Sequence, residues 1–228
     1  MPTRSKFVRA CGAILVGLAV LASAVAEDIP PPPSAVPPPH RPGHVDVERS
    51  RVFVHTAAKG LGHEHGIVGH LADGHLELGA EKNAGKLTFD MASFADEPQA
   101  RTFLGIRGDE DPANRRKINS TMRGGSVLDV KQFPQATFEV DSALLEPGAG
   151  GAATYRLEGK LTLRGKTRPL KIEAQAETAE GLIRLRGHFP LKQTDYGIHP
   201  YSKLGGAIAV ADEIKISGDI WLEPPAKK

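Results

Sequence analysis

Seven of the nine histidines fall between His40 and His75, and imidazole is the side chain best suited to bind a metal or move a proton near neutral pH. His63 and His65 stand two apart; on a strand that spacing puts both rings on one face, together with Ile67. Two neutral imidazoles so placed can ligate zinc, copper or nickel, with His70 or the distant His199 as a third ligand. The same pair could equally hydrogen-bond a polar head group at the rim of a binding site, or be satisfied within a polar turn. His75 alternates with Leu76 and Leu78 and is expected at the surface, while His40 and His44 belong to a proline-rich stretch and its edge. His63-Glu64 does not open a helical H-E-x-x-H zinc motif, because Ile67 stands where the second histidine would be. No P-C-x-x-C follows, which excludes a zinc deaminase.

Other chemistries are thinner. The sequence has no G-x-S-x-G elbow, no Walker A loop and no dinucleotide fingerprint. Asp195, Tyr196 and His199 are close enough in sequence to form an acid–base group, although Tyr-Gly-Ile-His-Pro also reads as a turn. The only cysteine is Cys11, so the rest of the chain has no disulfide, thiolate ligand or cysteine nucleophile. A non-enzymatic protein is the expectation.

The elements that would position these residues are strands. Tyr155, Leu157, Gly159, Leu161 and Leu163 share one face, with Arg156, Glu158, Lys160, Thr162 and Arg164 on the other. A turn at Arg164-Gly165-Lys166-Thr167 leads to Leu170, Ile172, Ala174 and Ala176 facing in. A second turn at Ala179-Glu180-Gly181 leads to Ile183, Leu185, Gly187 and Phe189, and a last strand carries Ile214, Ile216, Gly218, Ile220 and Leu222. Earlier strands are expected near 45–58, 65–78, 86–91 and 135–145. The polar stretch 95–123, interrupted by Pro98 and Pro112, predicts one short helix over 112–122, with Asp111 as its cap and Pro112 in its first turn. About eight strands, each with one apolar face, predict an all-β, antiparallel closed barrel, since closure removes exposed edges. A barrel of eight strands either fills itself with side chains or holds one small ligand. Gly159, Gly187 and Gly218, inward and mid-strand, mark either such room or barrel corners.

The ends set the context. Arg4, Lys6 and Arg9, the apolar stretch 10–21 and Ala24-Val25-Ala26 read as a signal peptide over 1–26, cleaved before Glu27. The apolar run is shorter than the roughly 20 residues a spanning helix needs, so no transmembrane segment is expected after cleavage, and the mature protein is expected to be periplasmic or secreted. Residues 27–42, including IPPPPSAVPPPHRP, form a polyproline-prone linker, and 43–224 is the folded domain. Three of the 29 Lys and Arg lie in the signal, leaving 26 against 27 Asp and Glu, a nearly neutral mature chain. Without a basic stripe carrying interleaved aromatics, nothing points to nucleic acid.

Several ordered segments carry a family resemblance. They are Ser50-Arg51-Val52-Phe53-Val54-His55 with Gly62-His63-Glu64-His65 and Gly69; Met122 with Val127-Leu128-Asp129-Val130; and Phe133-Pro134-Gln135-Ala136-Thr137-Phe138. Leu157 through Arg168 follows, with its G-x-L-T-L-x-G-x-T-R run, then Asp195-Tyr196-Gly197-Ile198 and Ala211-Asp212-Glu213-Ile214. Taken together the sequence resembles the YceI-like family, departing from it in the long 95–119 stretch and the histidine-rich opening. The resemblance implies a lipocalin-like barrel that binds an isoprenoid or other long-chain lipid along its interior, with Phe53, Phe89, Phe138, Leu161, Phe189 and Ile216 as the lining candidates. The alternative function is transition-metal binding or delivery through His63 and His65.

Overall fold

A computed structural model describes residues 41–147 and 153–225. The expected signal peptide and nearly all of the proline-rich linker lie outside these residues. Eight long strands dominate: β1 (Arg51–Gly60), β2 (His65–Leu76), β3 (Gly85–Asp96), β4 (Gln135–Glu146), β5 (Ala153–Leu163), β6 (Lys166–Ala179), β7 (Leu182–Lys192) and β9 (Ile208–Leu222). The two-residue β8 (Ser202–Lys203) adds to the start of β9. Every pairing is antiparallel, in the order β1-β2-β3-β4-β5-β6-β7-β9, and β9 returns to β1 from Arg51↔Asp219 to Gly60↔Ile208. The sheet is therefore closed, as the alternation predicts.

Local chemistry explains the tightest hairpins. Arg164 and Gly165, and likewise Glu180 and Gly181, have positive φ at both central positions (49° and 70°, 52° and 79°). Two consecutive left-handed residues make the primed turns whose twist matches that of the flanking strands. In the long β3–β4 connection, Asp111 accepts hydrogen bonds from the backbone N–H groups of Ala113 and Asn114 at 2.8 and 3.2 Å. It thereby caps α2 (Pro112–Arg123) at the expected place.

Three elements differ from the sequence expectation. The stretch 95–123 holds two helices rather than one: α1 (Pro98–Leu104) starts on Pro98, which suits a first helical turn, and ends at Gly105 with φ 68°. β1 begins at Arg51 rather than residue 45, because the Asp46 carboxylate accepts from Glu48 and Arg49 N–H and folds that segment into a turn. β3 continues to Asp96 instead of stopping at residue 91. Its pairing with β2 shifts register between His70↔Asp90 and Val68↔Ala95, and there Ser93 Oγ accepts from His70 N–H at 2.9 Å. A side chain replaces the ladder bond, so the period-two pattern breaks while the strand goes on.

The interior is unevenly filled. At one end Val45, Leu76, Ala84, Ala143 and Leu222 are fully or almost fully buried and pack solidly. Towards the other end Ile172, Phe189, Ile214 and Ile216 also face inward, yet each keeps part of its surface accessible. Inward side chains that stay accessible border empty space. Among the described residues no helix is long and apolar enough to cross a membrane.

Candidate ligand cavity

The half-filled end encloses a cavity of about 570 Å³, within the range of roughly 300–1,000 Å³ in which small-ligand sites fall. Its wall is aliphatic and aromatic, drawn from every long strand: Val54, Ile67, Phe89, Phe138, Leu161, Ile172, Phe189 and Ile216 among others. α2 and the segment after it lie across the opening, contributing Ile118, Met122, Val127 and Leu128. Ile118 and Met122 are four apart, hence on one face of the helix. That i,i+4 apolar pair was the available signal for a residue set the sequence reading missed. Polar groups gather only at the open end, where His63, His65, Lys117, Thr121, Tyr201 and Lys203 reach the cavity.

Of the six lining candidates, Phe89, Phe138, Leu161, Phe189 and Ile216 are on the wall, and Phe53 is not. Phe53 is buried on the outer surface of β1, with Val68 and Ala100, and stacks on Phe103 of α1 with ring centroids 3.7 Å apart. Val52-Phe53-Val54 are all apolar because β1 is covered on both sides, by the cavity inside and α1 outside. Period-two reasoning cannot pick the inner face from such a run.

The histidines separate. His65 opens β2, but His63 lies in the loop before it. His65 Nδ1 is 3.3 Å from Asp96 Oδ2, and Asp96 is completely buried. Asp96 N–H donates to Asn119 Oδ1 at 2.7 Å, and Arg115 Nε is 3.7 Å from Asp96 Oδ1. Arg123 Nε donates to the Phe94 carbonyl at 3.1 Å. His65 thus belongs to the group that holds α2 over the opening. His70 pairs with Arg51 on the outer face of β2, and His75 and His199 are exposed. Among the described residues no three His, Cys, Asp or Glu side chains come together in a way that could hold a metal ion.

Asp195, Tyr196 and His199 do not converge either. Gln193–Tyr196 form a short 3-10 turn ended by Gly197 at φ 68°. Tyr196 packs into the core, where burial pushes its phenol above the ordinary value, while Asp195 and His199 are exposed.

Arg101 fixes the rim. This buried α1 residue donates from Nε to the Gly108 carbonyl, from Nη1 to the Glu64 carbonyl and from Nη2 to the Arg107 carbonyl, each at 3.0 Å. One guanidinium therefore ties the β1–β2 loop to the loop before α2. Arg101→Met should cost about 3 kcal/mol, because hydrogen bonds to a charged group are worth ~1.5–3 kcal/mol each and the orphaned carbonyls regain water only in part. The midpoint of urea denaturation reads this out.

The architecture is thus a closed antiparallel barrel with an apolar pocket, polar groups at its rim and a helix across its opening. The family model of the YceI-like domain matches residues 44–222, and the chain belongs to that family. Sequence relatives include proteins of Yersinia pestis (strain Pestoides F) and Yersinia pseudotuberculosis (serotype O:1b), each described as a UPF0312 protein and 33% identical over 91 residues. The alignments cover 40% of this chain and 43% of each relative, so the chain spans less than half the length of the curated relatives it matches. Among solved structures, a polyisoprenoid-binding domain from Saccharophagus degradans, implicated in plant cell wall breakdown, is similar with a TM-score of 0.56 at 13% identity. That match covers 81% of this chain and 100% of the other. Burkholderia cenocepacia BcnA gives 0.52 at 20% identity, over 78% and 98%. At these identities the likeness establishes a shared fold.

Proposed function

We propose that this protein holds an isoprenoid or other long-chain lipid in its barrel and acts as a binding protein rather than an enzyme. The observation that carries the reading is the cavity itself, continuous and apolar from its packed floor to the rim, with polar groups confined to the opening. Area alone supplies the affinity. A chain of about fifteen carbons gains ~12 kcal/mol at ~0.8 kcal/mol per buried carbon. Against an association cost of ~4 kcal/mol, the low end of its range, this leaves binding of up to micromolar affinity. No reacting group is needed. The Saccharophagus degradans domain, described as polyisoprenoid-binding, supports the same ligand class. The basic, apolar N-terminal segment supports export to the periplasm or beyond. The metal-delivery alternative lacks a matching observation, since His63 and His65 gain no third ligand among the described residues.

Native mass spectrometry of the full chain, purified without detergent, tests the proposal. An organic-extractable, non-covalent mass excess is expected. Phe189→Arg should remove it and weaken a long-chain probe by at least about a hundredfold, since an unpaired buried charge costs several kcal/mol. His63→Ala should change binding little. The opposite pattern, loss of a metal mass with His63→Ala and an unaltered Phe189→Arg, would establish the metal reading instead.

A further inference from the structure

The two most exposed large apolar side chains among the described residues are Leu61 and Leu204, at 78% and 79% of their full surface. They sit at the same place. Leu61 N–H donates to the Ala207 carbonyl at 2.9 Å, and Ala207 N–H donates to the Leu204 carbonyl at 3.3 Å. Leu61 also borders the cavity opening, as do Tyr201 and Lys203 beside Leu204. Isolated surface leucines need no explanation, but a pair beside the opening of an apolar pocket does.

Leu204 is held there against its own backbone preference. Its φ is 52°, followed by Gly205 at 64° and Gly206 at 97°. Leucine rarely adopts the left-handed region, and glycine would adopt it freely. A strained backbone that presents a bulky apolar side chain to solvent is the kind of outlier that collects at functional positions.

Charge points the same way. Lys59 and Lys203 flank the two leucines, both exposed. The described connections at the open end (61–64, 97–134, 164–165 and 193–207) carry nine Lys and Arg against seven Asp and Glu. Those at the packed end (41–50, 77–84, 147, 180–181 and 223–225) carry three against six. The described connections are thus net basic at the open end and net acidic at the packed end, with Glu110 the carboxylate that borders the opening.

We propose that the rim formed by residues 59–63 and 201–207 docks on an anionic phospholipid bilayer, so that the opening faces the lipid and a chain passes into the cavity without crossing water. Leu61 and Leu204 enter the interface, Tyr201 lies at its boundary, and Lys59 and Lys203 meet the phosphates. Apolar anchors flanked by basic residues bind such surfaces by these two forces acting together. This rests on the reading that the cavity takes a lipid chain.

Amide hydrogen exchange of the full chain, with vesicles of mixed phosphatidylcholine and phosphatidylglycerol against phosphatidylcholine alone, reads the rim segment by segment. It does so independently of any attachment through residues 1–40. Slowed exchange confined to 59–63 and 201–207, present with the mixed vesicles and weak with phosphatidylcholine, is the expected result. The double variant Leu204→Gly, Lys59→Gln should lose that protection. Its fold is not at risk, since glycine fits the left-handed backbone at position 204. Removing one basic residue alone weakens attachment to an anionic leaflet about fivefold. No vesicle-dependent protection of the rim, or full protection retained in the double variant, overturns the proposal. So does protection that grows with protein concentration in the absence of vesicles, which would assign the rim to a second copy of the chain. Fluorescence titration of the wild-type chain with anthroyloxy-stearate in solution judges the cavity separately. Binding there without rim protection would remove the docking surface and leave the lipid-binding reading standing.

Discussion

Gly218→Phe is expected to abolish binding of a long-chain probe and leave the barrel at least as stable as before. Gly218 lies mid-strand in β9, paired with Gly187 of β7 and Val52 of β1, and it borders the cavity. A Cβ added there meets only Ile220 Cγ1, at 3.7 Å, an ordinary contact. The space beyond is the cavity. A phenyl ring placed in it gains ~1.5–3 kcal/mol of burial and removes the ~0.5–1 kcal/mol that a mid-strand glycine costs. Denaturation should therefore shift towards higher urea or not at all. The ring occupies the volume of about five ligand carbons, or ~4 kcal/mol of lost burial, which is close to a thousandfold in affinity. Fluorescence titration gives the affinity. Unchanged binding in a folded Gly218→Phe protein would place the lipid chain somewhere other than this cavity.

How much of this was legible beforehand differs between the two halves of the barrel. From Tyr155 onward the alternation is regular because each strand is covered on the inside and wetted on the outside, so the β5–β7 faces and both tight turns follow from residue type alone. In the first half two strands depart from that rule. α1 hides the outer face of β1, which made Phe53 look like a wall residue. Ser93 and the register shift in β3 broke the period that would have carried the strand to Asp96. α1 itself is only seven residues long and starts on a proline, and so short an element has little periodicity to detect.

The candidate site was readable in its apolar part and unreadable in its polar part, for one reason. Wall residues are fixed by strand parity, which is local. The rim is assembled by long-range links: Arg101 reaches the Glu64 carbonyl across 37 positions, and Arg164 donates to the carbonyls of Gly197 and Gly125. Sequence spacing grouped His63 with His65; the fold instead gives His65 to Asp96 and leaves His63 at the opening. Bunching in sequence therefore overstated convergence in space. The same holds for Asp195, Tyr196 and His199, which a short helical turn separates.

The three inward glycines now make a test of what an empty position on a strand means. Gly159→Ala is expected to destabilise the protein by about 3 kcal/mol or more, as overpacking against rigid backbone does, a large share of the ~5–15 kcal/mol that holds a domain together. Its backbone needs no special φ. The obstacle is contact: a Cβ there would fall 2.0 Å from the Glu139 carbonyl oxygen and 2.9 Å from Val140 Cα. These are atoms of the facing strand, which no rotamer can move aside. The pairing of β4 with β5 shifts register just beyond, between Val140 and Ser142, and such a bulge bends a strand towards its neighbour. Gly159 is thus a barrel corner, whereas Gly218 is room. Gly187 sides with the corner, since its Cβ would lie 2.8 Å from the Glu173 carbonyl oxygen. Gly218→Ala is the internal comparison: same residue type, same inward face, mid-strand, with an expected change near zero or slightly stabilising. If urea midpoints of Gly159→Ala and Gly218→Ala moved together, the close approach of β4 and β5 would be wrong, and with it the division of the interior into a corner that shapes the barrel and a space that receives the ligand.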